Sequence, residues 1–518
     1  MSKPSRFTAV TISLNFSTTS RVLSLAQLLM THPLRRLAAS LTLALFAAAT
    51  LPAQNNAAPE LTLQECITRA LNKNFDLAIG RYGPQIAQDS IAVAAGGYET
   101  QLSVTGSKGY SSTGATSTTT SSSSHTSDLR VGVTQKLYTG TTLSASSRID
   151  RSSSNPAFST LNPAYDADLT LSVRQSLLSG LGLAVNRAGI QRAEIGFLRA
   201  NLDFKAQALN VIQSTENAYY NLAFAREQLV VRNFSLALAN KLFDEAKTRK
   251  EVGVVTDLDV LQAEVGVANA RRNVILAQQT VQDRQDSLLA LIGQFELDAS
   301  LGTVRFSEVS DATPVFASSY QMAKQNQPDY LSSLAAIDQF KLDLKLAHDS
   351  AKPDLTVGAA LGMSGRNGSG SDALSDAFDR QNHSWQVDFA FNYPLGRASD
   401  KARERQSLAT LSREQTRLRL IEQNIELDVR SAVRSVETNL ESVKIATFAS
   451  NLSQRQYELE KAKFDAGLST SRRVLEAQDD LETARVNELH AKVTLHTAIA
   501  ALHRIEGSSL QRYAVQLP

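Results

Sequence analysis

The sequence predicts a mixed α and β membrane protein: long antiparallel α-helical hairpins of coiled-coil type, joined to transmembrane β-strands that several copies close into one barrel. Three features lead to this. Segments of about ten residues alternate between apolar and polar side chains, the length a tilted strand needs to cross a bilayer. Proline-free stretches of about 65 residues carry a heptad-like apolar row. The chain also repeats its own plan once.

The first segment reads as an address. Arg35 and Arg36 precede an apolar run over 37–51, and Leu51, Pro52 and Ala53 make a small-residue cleavage site. Residues 1–53 are thus expected to be a signal region, with translation beginning at Met30. About 15 apolar residues fall short of the roughly 20 that a spanning helix needs. No later stretch is apolar for long enough either, so membrane crossing is left to strands.

Two structural repeats follow, 54–310 and 311–507, with 508–518 as a tail. Residues 243–293 lie on 457–507 without a gap at an offset of 214, which places Gly253 on Gly467, Thr256 on Thr470 and Gly293 on Gly507. The starts of the repeats match at an offset of 253, as in Ala70 with Ala323 and Asp76 with Asp329. The difference, 39 residues, is extra chain between the first strand and the long helix of the first repeat.

Each repeat runs helix, strands, long helix, shorter helix. The first opens with a helix over 61–97, then strands at 99–110, 128–138, 141–150 and 166–178. Its long helix, 186–250, carries the row Ile195, Leu202, Leu209, Ala223, Val230 and Ala237, and spans roughly 100 Å at 1.5 Å per residue. The helix at 256–293 is its shorter antiparallel partner, and the 61–97 helix stacks end to end with it to match the length. The second repeat has a helix at 319–351, strands at 354–364 and 384–395, a long helix at 400–466 and a helix at 470–507.

The strands decide the environment. Trp385, Val387, Phe389, Phe391 and Tyr393 alternate with Ser384, Gln386, Asp388, Ala390 and Asn392, as lipid-facing and water-facing sets do in a barrel. Leu129, Val131, Val133 and Leu169, Leu171, Val173 follow the same rule. The connections over 106–128, 151–165 and 364–383 are long and polar, whereas Thr139 and Gly140 make a tight turn. Outer-membrane barrels place long loops outside, which puts every long helix in the periplasm. Open strand edges are intolerable in lipid, so one chain cannot close the barrel alone.

Composition removes other classes. With 53 basic and 51 acidic residues there is no electrostatic footprint for nucleic acid. The single cysteine, Cys66, excludes an internal disulfide framework and a cysteine-clustered metal site. No phosphate-binding glycine loop, HExxH metal motif or GxSxG elbow occurs, so an enzyme reading has no site and no cofactor is expected. His490, His496 and His503 share the last helix, but the latter two lie two turns apart, too far for one metal, and are read as surface or seam residues.

The duplicated runs KTRKEVGVVTDLDVLQAE and KAKFDAGLSTSRRVLEAQ, the run from Ala218 to Leu222 and the strand ending FNYPLG at Gly396 resemble the TolC family of outer-membrane efflux proteins over nearly all of the chain beyond the signal region. The resemblance implies a homotrimer with one shared β-barrel in the outer-membrane lipid and a twelve-helix periplasmic tunnel. That duct would dock a periplasmic adaptor and an inner-membrane pump of the RND, ABC or MFS type, for efflux or type I secretion. In such proteins the turns after each glycine form the periplasmic entrance, here Gly253 with Thr256 and Gly467 with Thr470. The acidic ring falls on Asp257 and Asp259 in the first repeat and on Arg473 and Glu476 in the second, so one expected acid is basic. Phe464 replaces the latch tyrosine and Ser469 the latch arginine, leaving Asp259 without those partners. The family pattern has two strands per repeat; the pair flanking Thr139 and Gly140 either joins the barrel or extends outside it. The competing readings are a structural coiled-coil protein of the periplasm and a periplasmic adaptor; the latter would need lipoyl-like β modules and an inner-membrane anchor, and neither is visible.

Overall fold

In the computed structural model, residues 61–112, 123–154, 160–293, 301–306, 313–379 and 382–514 are described. The signal region, Met30 and parts of the three polar connections lie outside them. The first repeat opens with three short helices, α1 (Leu63–Lys73), α2 (Phe75–Gly80) and α3 (Tyr82–Gly96), followed by strands β1 (Gln101–Ser112), β2 (Ser123–Lys136), β3 (Thr141–Ser154) and β4 (Ala164–Ser176). A single turn, α4 (Leu183–Asn186), leads into α5 (Ala188–Glu251), which folds back as α6 (Asp257–Leu291). The second repeat comprises α7 (Phe316–Asn326), α8 (Pro328–Ser350), β5 (Asp354–Asn367), α9 (Gly370–Phe378), β6 (His383–Asn392), α10 (Ala398–Asp465), α11 (Ser471–Glu506) and α12 (Ser509–Arg512).

The helices expected over 61–97 and 319–351 are therefore broken, and at one equivalent place. Asn74 (φ −66°, ψ 130°) and Gln327 (φ −69°, ψ 121°) are extended residues related by the 253-residue offset. The two repeats reach the same break by different chemistry. Asn74 caps α2 by accepting the Leu77 N–H at 3.2 Å, while Pro328 at the start of α8 drives the preceding Gln327 out of the helical region. Glycines answer the breaks from the other side. Gly293 and Gly507 both have φ near +67°, and a Cβ there would lie 2.3 Å from the Lys73 carbonyl oxygen and 2.9 Å from that of Asn326. Only glycine combines that backbone with that approach.

Around these junctions lie the two main apolar cores. One gathers Ile67, Ala70, Leu77, Leu209, Ile212, Leu222, Leu288 and Ile292, the other Ala323, Tyr330, Ile425, Val429, Val433 and Leu502. In the run beginning at Ala218, the Tyr219 hydroxyl lies 3.2 Å from the Leu61 carbonyl oxygen and 3.1 Å from that of Arg305, tying α5 to the chain that girdles it. The predicted heptad row drifts along α5: Leu209 and Ala223 are buried, Val230 is 62% exposed, and Ser235, Ala239, Leu242 and Ala246 form the seam beyond. An undistorted helix slips about 20° per heptad, so the face against a partner must change over so many turns.

Among the described residues, six strands form one antiparallel meander in the order β1-β2-β3-β4-β5-β6. The chain ends that lead to α3, α4, α8 and α10 leave the sheet on the same side, as does the β2–β3 turn. The connection over 364–383, read from sequence as a polar loop, contains α9. Ala373 and Ala377 of that helix pack on Ala167, and a Cβ on Gly365 would sit 2.1 Å from the Ala373 carbonyl oxygen.

Candidate functional site

The two turns singled out by the repeat lie at the end of the helical hairpins remote from the sheet, and their backbones match. In the first, Gly253 (φ +76°) donates its N–H to Lys250 O at 2.9 Å and Val254 donates to Arg249 O at 2.9 Å. In the second, Gly467 (φ +77°) donates to Phe464 O at 3.0 Å and Leu468 to Lys463 O at 2.8 Å. Both are helix ends closed by a left-handed residue.

Their next turns differ. Thr256 caps α6 with a reciprocal capping box: its hydroxyl accepts the Asp259 N–H at 3.4 Å, and its own N–H and hydroxyl donate to the Asp259 carboxylate at 3.0 and 2.7 Å. Those bonds favour the ionised form and hold the Asp259 carboxyl below the usual carboxylate range. Asp257 pairs with Lys250. Thr470 makes no side-chain cap; Arg473, at the position equivalent to Asp259, could not return the reciprocal bond of a capping box, because a guanidinium cannot accept a hydrogen bond. Glu476 accepts from Arg472 Nε at 2.9 Å. Arg473 makes no ion pair among the described residues.

The two latch positions are occupied in other ways. Ser469 donates to Glu460, which is the main reason the Glu460 carboxyl lies below its ordinary range; Lys463 and Arg473 add their charge. Phe464 is 3% exposed and packs with Leu242, Tyr457, Val474, Ala477 and Leu481. Its ring is covered by the Arg249 guanidinium, 4.1 Å from the ring centroid. Arg249 also donates to Phe464 O at 3.3 Å and approaches Asp465 at 3.7 Å. This clasp joins α5 to α10 within one chain, and sequence reasoning missed it. The available signal was a cation one turn before the first glycine, facing an aromatic three residues before the second.

The structure thus brings each set of tip residues together on its own hairpin and joins the hairpins through Arg249 and Phe464. Asp259 and Arg473 share no hydrogen bond or ion pair. Of the three histidines, His490 is exposed and His496 is buried in the seam, its ring stacked 4.0 Å from that of Tyr220.

The model of the outer membrane efflux protein family matches residues 142–294 and 319–508, one stretch for each repeat. The chain belongs to the outer membrane efflux protein family. It is a channel of the TolC type in the outer membrane, with a periplasmic helical extension, and not an enzyme. Among relatives of this efflux protein, the pyoverdine export outer membrane protein OpmQ of Pseudomonas putida is 24% identical over 347 residues, covering 65% of this chain and 70% of that one. The outer membrane protein TolC of Escherichia coli is 22% identical over 337 residues, covering 62% and 66%. In fold, the efflux protein is similar to the outer-membrane channel OprN (TM-score 0.67, 16% identity, 87% of this chain and 90% of that one). It is also similar to VceC of Vibrio cholerae (TM-score 0.64, 17% identity, 86% and 96%).

Proposed function

We propose that this efflux protein works as a homotrimeric, passive export duct whose periplasmic mouth is formed by the two glycine turns. An adaptor docks on those turns, and an inner-membrane pump supplies the energy. The observation that carries this reading is the pairing of two matching turns, Gly253 and Gly467, at the far end of the hairpins from the sheet. Around them the side chains of Val252, Val254, Leu258 and Leu468 are more than 60% exposed, an apolar rim suited to a partner.

The mouth carries Asp257 and Asp259 on one hairpin and Arg472 and Arg473 on the other. In a trimer the charge alternates around the opening instead of forming a purely acidic ring. Asp257, Asp259, Arg473 and Glu476 form the constriction, and the Arg249–Phe464 clasp replaces the latch that Phe464 and Ser469 no longer supply.

Gly253→Val and Gly467→Val test the docking role, since a β-branched residue is strained at φ near +76°. Each variant is expected to remain a detergent-stable trimer and to lose adaptor capture in pull-down. Undiminished capture by both would show that the adaptor docks elsewhere.

A further inference from the structure

The first repeat carries a strand pair that the second lacks, and the sheet register shows how that pair is built in. β2 and β3 lie between β1 and β4, paired along their lengths on both sides. Two adjacent rows near the middle of the sheet each keep one character, one on each face. Leu102, Val133, Ala145, Leu171, Leu361 and Trp385 are successive partners, and all six are apolar. The neighbouring row on the opposite face is Ser103, Gly132, Ser146, Thr170, Gly362 and Ser384. A hairpin folded outside the wall would not need its alternation in phase with four other strands. Side chains of one face turn together, and a slip of one residue would send Arg130 and Arg148 into lipid.

The sheet has two edges without a strand partner among the described residues, β1 and β6. β1 runs away from the helices and β6 runs toward them, so β1 of one copy meets β6 of the next in the antiparallel sense of every other pair. An even number of strands per chain is what permits this. Unpaired backbone groups facing lipid cost several kcal/mol each, so both edges must be taken by further copies.

We infer that the extra hairpin is a full part of the barrel wall, and that three copies of this six-stranded sheet close an eighteen-stranded barrel. The inference rests on the trimer proposed above. Barrel diameter grows roughly in proportion to strand number, and 16–18 strands enclose a water-filled channel. The exit is then wider than four strands per chain would give. Its lumen carries charge of both signs, from Arg130, Arg148, Asp150, Asp168, Arg174 and Asp388. Such a bore passes solutes of either charge, so selection falls to the helical mouth.

The test reads the environment of β3 and the copy number separately. In a Cys66→Ser background, single cysteines replace Leu143, Ala145, Ser144 and Ser146 in the full chain reconstituted in liposomes. Each is labelled with a bimane fluorophore, and brominated phospholipid and aqueous iodide serve as quenchers. Loss of fluorescence to brominated lipid at 143 and 145, and to iodide at 144 and 146, is the expected pattern. Iodide quenching at all four sites would place the hairpin outside the wall and overturn the inference. Mass photometry of the same protein is expected to give three copies. Two copies with alternating quenching would overturn the trimer, and with it the number eighteen, while leaving the hairpin in the wall.

Discussion

At the scale of single residues, the tips show how one substitution redistributes several interactions. Asp259 is held by Thr256 and is part of a cap, so Asp259→Ala is expected to destabilise the start of α6 by about 1 kcal/mol. Conversely, Arg473→Asp supplies the missing acceptor opposite Thr470 and removes a cation from a helix N-terminus, where positive charge is unfavourable. Slower amide exchange over residues 471–476 would show the new cap; unchanged exchange would contradict it. Because the Asp259 pKa is lowered in the folded chain, its contribution is complete above the ordinary value near 3.8 and is lost as pH falls through the lowered one. The α6 start should therefore hold at pH 5 and loosen only in stronger acid. Which residues stand at the tips was legible from the repeat register, since Gly253 and Gly467 align without a gap. How Asp259 and Phe464 are used was not, because each is fixed by neighbours on the backbone turn or on another helix.

Between elements, the C-terminal turn α12 is fastened to the body by two polar contacts. The Tyr513 hydroxyl donates to the buried Glu216 carboxylate of α5, and the Arg512 guanidinium lies 2.8 Å from His503 Nε2. Burial, with Arg512 adding, pushes the His503 imidazole down to about 4 from 6.5, so the folded chain keeps it neutral as an acceptor. For such a group the stabilisation is full above 6.5 and declines as pH falls toward 4. Glu216, raised chiefly by burial, works in the opposite sense, because protonation relieves a buried charge. Amide exchange in α12 is expected to accelerate between pH 6.5 and 4, and His503→Gln should abolish that acceleration. If the variant kept the same pH dependence, His503 would not be the sensing group. Element types were readable because heptad and two-residue periods differ so plainly between α5 and β6. The breaks at Asn74 and Gln327 have local causes, an Asn cap and the Pro328 ring, and were missed because a helical pattern resumes on both sides of each. The short helix α9 was hidden in a stretch rich in Gly, Ser and Asp, where packing on Gly365 and Ala167 outweighs weak propensity.

For the whole molecule, the repeat is the main source of legibility: matching turns, matching breaks and matching glycines describe one hairpin plan used twice. In the proposed trimer, sheet closure depends on other copies of the chain, and it was legible only as a requirement that no edge be left in lipid. The central claim is a passive duct narrowed at the tips by the Arg249–Phe464 clasp and by mixed charge. Removing the clasp with Arg249→Ala forfeits a partly exposed cation–π contact of about 1 kcal/mol and its bond to Phe464 O. The most direct measurement is single-channel conductance of purified trimers in planar bilayers, comparing wild type, Arg249→Ala and Arg473→Asp. Small wild-type steps, larger steps in Arg249→Ala, and a reversal potential shifted toward cations in Arg473→Asp are expected. Equal conductance and equal selectivity in all three inserted trimers would contradict a constriction at the tips.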